Sequence, residues 1–183
     1  MKKINTILCT SLVCASLAVA GGTKSLVGIE GGFGEMGVAS NEGYDKTETF
    51  IHGGLKVGAQ SENYRIFVSG RYYNTESFEY LTTLGVEFQY LFNYTSWGNL
   101  FIGINTGLLD ADFDDVNGNK RTFSDMYYGA DAGLNFHASD LIDLELGVRM
   151  IDVNGDNTIG GVTYSFDPMV TAYGSIIIKY DLD

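Results

Sequence analysis

A period of two, sustained over unusual length, constrains this chain more than any other feature. From Leu84 to Tyr94, one face carries Leu84, Val86, Phe88, Tyr90, Phe92 and Tyr94. The opposite face carries Gly85, Glu87, Gln89, Leu91 and Asn93. Successive side chains of a strand point to opposite faces, so strict alternation marks a strand with one apolar and one polar side. The run is long for a soluble strand. It matches the ~9–11 residues of a tilted strand that crosses a bilayer.

The pattern returns along the chain. Met126, Tyr128, Ala130, Ala132, Leu134 and Phe136 alternate with Tyr127, Gly129, Asp131, Gly133, Asn135 and His137. Ile142, Leu144, Leu146, Val148 and Met150 alternate with Asp143, Glu145, Gly147 and Arg149. Leu100, Ile102, Ile104 and Leu108 alternate with Phe101, Gly103, Asn105 and Gly107. Val170, Ala172, Gly174, Ile176, Ile178 and Tyr180 alternate with Thr171, Tyr173, Ser175, Ile177 and Lys179. Weaker alternation covers 25–36, 50–60 and 64–74. These segments predict eight strands, and helical spacing competes nowhere after residue 21. The 24 Gly, 12 Tyr and 11 Phe against 1 Pro suit long, uninterrupted strands.

The connections alternate in length. Short turns fall at Ser61-Glu62-Asn63, Thr95-Ser96-Trp97-Gly98 and Ala138-Ser139-Asp140. Longer polar connections are expected over 37–48, 110–124 and 153–168, with a shorter one near Thr75-Glu76-Ser77. Short turns at one end and long loops at the other are the asymmetry of a membrane barrel. The fold class read from the sequence is therefore an all-β, eight-stranded, antiparallel up-and-down transmembrane β-barrel.

Residues 1–20 read as a secretory signal. Lys2 and Lys3 precede an apolar stretch from Ile7 to Leu17, and Ala18-Val19-Ala20 offers a cleavage site before Gly21. The stretch is short for a membrane anchor of about 20 residues, and no stop-transfer segment follows. A lipoprotein signal fits less well, because Thr6 and Ser11 stand three residues before Cys9 and Cys14. Removing 20 of 183 residues leaves 163, one domain at 21–183. Both cysteines leave with the signal, so a disulfide framework is excluded. Losing Lys2 and Lys3 takes the net charge from −12 to −14. Such a chain has no basic patch to neutralise phosphates, which excludes nucleic acid as a partner.

If the apolar face meets lipid, the other face lines the lumen. That parity assigns Glu30, His52, Lys56, Arg65, Arg71, Glu87, Asp131, Asp143, Glu145, Arg149 and Lys179 to the interior. Eight strands enclose a space that side chains fill, and buried charges persist when paired. The expectation is a structural plug, in which Glu87, Asp131 and Glu145 face Arg65, Arg71 and Arg149. Aromatic girdles are expected at both membrane interfaces. Tyr64, Phe92, Tyr94, Trp97, Phe136 and Tyr180 lie towards the short turns. Phe33, Tyr72, Phe78, Tyr80 and Tyr128 lie towards the long loops. A soluble ligand-binding barrel would show the inverse parity, apolar inside and polar outside.

The signal, the eight alternating strands and the alternating loop lengths together resemble the small eight-stranded outer-membrane proteins. These include the membrane domain of the OmpA family, OmpX-like proteins and opacity-like surface proteins. The resemblance covers the whole of 21–183 and is architectural. It implies residence in the cell outer membrane, with lipid and lipopolysaccharide as partners and an extracellular ligand for the loops. Barrels of this kind often end on an aromatic residue, whereas here Asp181-Leu182-Asp183 follows Tyr180. No periplasmic domain is expected after the last strand, and with it no peptidoglycan-anchoring role.

Three roles fit such a barrel. The first is a structural or surface-interaction protein with a plugged lumen. The second is a narrow porin. The third is a lipid-A-modifying enzyme of the kind that uses a His with a Ser and an acidic residue. Candidate residues for the third are His52 and His137, with Ser69 and Glu87 as companions by sequence arithmetic. The pattern His-x-Ser occurs once, at His137-Ala138-Ser139, but at the periplasmic end. The weaker reading is therefore enzymatic, and the chain is expected not to be an enzyme. Loops 110–118 and 152–157 are rich in Asp and Asn. The second departs from a calcium loop in its Gly position and lacks a closing Glu. Both read as polar surface, and no cofactor or metal is expected.

Overall fold

The computed structural model describes residues 24–40, 45–75, 78–114, 120–153, 157–159 and 162–181. The expected signal segment, 1–20, lies outside the described residues. Seven strands run in sequence, each antiparallel to the next. They are β1 (Lys24–Ser40), β2 (Asp45–Gln60), β3 (Tyr64–Asn74), β4 (Phe78–Thr95), β5 (Gly98–Asp114), β6 (Lys120–His137) and β7 (Ile142–Val153). A small hairpin follows, β8 (Asn157–Ile159) with β9 (Val162–Phe166), before the last strand β10 (Met169–Tyr180). β10 pairs with β7 on one side and with β1 on the other, from Ser25↔Tyr180 to Glu35↔Val170. The first strand thus meets the last and closes an eight-stranded barrel. Closure pairs the backbone all round, which an open sheet edge in lipid could not do.

Alternation sets the faces. In β7, Asp143, Glu145, Arg149, Ile151 and Val153 are buried, while Leu144, Leu146, Val148 and Met150 are exposed. β10 repeats this, with Thr171, Tyr173, Ser175, Ile177 and Lys179 inside and Val170, Ile176 and Ile178 outside. The barrel is inverted relative to a soluble protein. Its outside carries Leu55 at 66 % exposure and Ile104 at 67 %, while Glu87 and Asp143 inside are at 0 %.

Three expectations are corrected. First, the strands run further at the loop end than the alternation suggested. β1 and β2 pair as far as Ala39↔Asp45, and β5 and β6 as far as Asp114↔Lys120. Most of the expected loops 37–48 and 110–124 are therefore hairpin extensions. Their tips, 41–44 and 115–119, lie outside the described residues. Polar outward residues such as Thr47, Thr49, Thr122 and Ser124 disguise them as loops, although pairing above the membrane needs no apolar face. Second, the expected loop 153–168 contains β8 and β9, and β9 pairs with β1 at Val38↔Phe166. Third, Phe78 is not in an outward girdle but buried inside at 8 % exposure. The β4–β5 register shifts between Phe78 and Tyr80. An extra residue in one strand reverses the parity beyond it.

Candidate functional site

The side chains of the lumen are stacked in tiers. In the middle, Glu30 of β1 gathers cations from three strands. It accepts Arg71 Nε at 2.7 Å, Arg149 Nη1 at 2.8 Å and His52 Nε2 at 3.1 Å. Lys56 Nζ stands 3.7 Å from its other oxygen. Glu87 pairs with Arg71 and, at 3.4 Å, with Arg149. Arg71 also donates to Ser69 Oγ at 2.9 Å. The Arg149 guanidinium lies 4.3 Å from the Tyr173 ring centre, a cation–π contact.

Towards the short turns, Glu145 accepts Lys56 at 2.6 Å and Arg65 at 2.7 Å. The Arg65 guanidinium stands 5.4 Å from the Phe101 ring and 5.6 Å from Phe67. Asp143 then closes that end, accepting Lys179 at 2.6 Å, His137 at 2.8 Å and Asn135 at 3.0 Å. Asp131 is held differently, by Gln89 Nε2 at 2.7 Å and Asn105 Nδ2 at 3.2 Å. A charge removed from water costs several kcal/mol, and only close, multiple partners offset it. The side chains of Glu30, Lys56, Arg65, Arg71, Glu87, Glu145 and Arg149 are all at most 2 % exposed.

The inward charges thus lie inside together, but the partners are not simply the ones expected. Asp131 meets amides rather than an arginine. Glu30 is the hub, taking both Arg71 and Arg149. The serines and histidines weighed as enzyme candidates make no hydrogen bond to one another. Ser69 is bonded to Arg71, His52 to Glu30, and His137 to Asp143, while Ser139 Oγ accepts the Leu141 amide at a turn.

Towards the long loops the interior turns apolar. Met36, Phe50, Tyr73, Leu81, Leu109, Ala111, Phe123, Ile151 and Met169 form one cluster with Phe78, Tyr127 and Val153. Phe50 meets Tyr73 edge to face at 5.2 Å. The void left among these side chains is about 10 Å³, room for one water at most. This cap was not foreseen. Its signal was present in the inward parity of Leu109, Ala111, Phe123 and Ile151, of which Ala111 and Phe123 fell in a segment read as loop.

On the outer surface, Tyr64, Tyr72, Phe92, Tyr94, Trp97, Tyr128 and Tyr180 are exposed, and Tyr80 and Phe136 half-buried. At the turn end the rings touch one another. Tyr90 meets Phe92 at 4.7 Å, and Trp97 stacks on Phe136 at 5.9 Å. At the loop end Tyr128 donates to Asp152 at 2.9 Å.

A closed eight-stranded barrel with charges inside and an apolar belt outside has counterparts among solved structures. Neisserial surface protein A (NspA) superimposes with a TM-score of 0.63 over 84 % of this chain and 97 % of that one. The fold is that of the small eight-stranded outer-membrane β-barrels. Sequence identity to NspA is 17 %. The barrel domain of Pseudomonas aeruginosa OprF gives a TM-score of 0.52 at 12 % identity, covering 85 % of this chain and 97 % of that one. OprG from the same organism gives 0.55 at 13 %, covering 87 % and 97 %. No family model and no curated protein sequence matches the chain.

Proposed function

We propose that this chain is an integral outer-membrane protein whose barrel is a plugged anchor and whose loop-end surface does the work. One observation carries the reading, namely the inversion of the barrel. Ile29, Leu55, Ile102, Ile104, Leu146 and Val148 are more than half exposed, while eleven buried Lys, Arg, Asp and Glu residues among the described ones, from Glu30 to Lys179, line the interior. Water would reject the first arrangement and lipid accepts it. Ringed by aromatics at both ends, such a belt takes lipid and lipopolysaccharide as its surroundings. The paired charges and the apolar cap above them support a plug, since open aqueous channels need wider barrels. The hairpins β1–β2 and β5–β6 rise beyond the short strand β3, which ends at Asn74. They offer an extracellular ligand a raised, acidic surface.

The experiment is heat-modifiability of the protein in purified outer membranes, followed by planar-bilayer conductance. A band that shifts on boiling, with a silent bilayer, is the expected result. A shifting band with steady conductance would replace the plug with a narrow pore. A protein that washes out as soluble would overturn the membrane reading.

A further inference from the structure

We draw no further inference here: the strongest candidate, the shallow apolar trench on the outer wall over β1 and β10, floored by Gly31, Ala172 and Gly174 and flanked by Phe33, Leu146 and Val148, is a stripe of small residues, and nothing in the structure shows what covers it.

Discussion

At the scale of single residues, Glu30 does more than any other side chain to hold the interior together. It sits on β1 and receives His52 and Lys56 of β2, Arg71 of β3 and Arg149 of β7. It therefore ties together strands that are not all neighbours in the sheet. Removing it leaves two guanidiniums facing each other with Glu87 alone between them. Breaking a buried ion pair from one side costs about 3–5 kcal/mol. Glu30→Ala should lower stability by that amount, read as a fall in the urea midpoint. Lys56→Met should cost less, because Glu145 keeps Arg65 at 2.7 Å. Equal losses for the two would show that the hub is not where the geometry puts it.

At the scale of the strand, glycine means opposite things on the two faces. Gly147 faces the lumen, and a Cβ there would lie 2.6 Å from the Tyr173 ring. That ring carries Arg149, so displacing it disturbs the ionic tier as well. Gly53 faces outward, and the nearest atom to its Cβ would be 3.9 Å away. An extra methyl in a packed interior costs about 1–3 kcal/mol. Glycine in an open strand position is itself unfavourable by about 0.5–1 kcal/mol relative to alanine. Gly147→Ala should therefore destabilise the barrel, while Gly53→Ala should leave it unchanged or firmer. Heat-modifiability on gels, with the temperature of the band shift recorded for each variant, checks both signs. The same parity rule explains where the strand reading failed. At the β4 bulge between Phe78 and Tyr80 the period slips by one, and counting alone carried Phe78 to the wrong side.

At the scale of the whole molecule, the proposed plug has two parts of different physics in series, an ion-paired tier and an apolar cap. On the plugged-anchor proposal, the ion-paired tier excludes mobile ions by filling the lumen with fixed, paired charge. On the same proposal, the cap from Met36 to Met169 excludes them by being apolar. Removing one barrier should leave the other. Arg149→Ala should weaken folding yet keep a planar bilayer silent. Steady conductance from that single variant would mean that the cap does not seal.

The sequence by itself determined the faces. Alternation is a property of adjacent residues, so it survives without knowledge of neighbours, and it put Glu30, Arg65, Glu87, Glu145 and Arg149 on one side and the apolar belt on the other. The short turns at Ser61–Asn63 and Ala138–Asp140 were legible for the same local reason. What each inward charge touches was decided only by the tertiary structure. Partner choice depends on the stagger of eight strands around a closed ring, which brings Glu30 and Arg149 together across 119 residues of chain. The length of the hairpins and the apolar cap were likewise decided there. Above the belt, backbone pairing and an inward core continue a strand whose outward residues are polar, and periodicity on one face cannot reveal it.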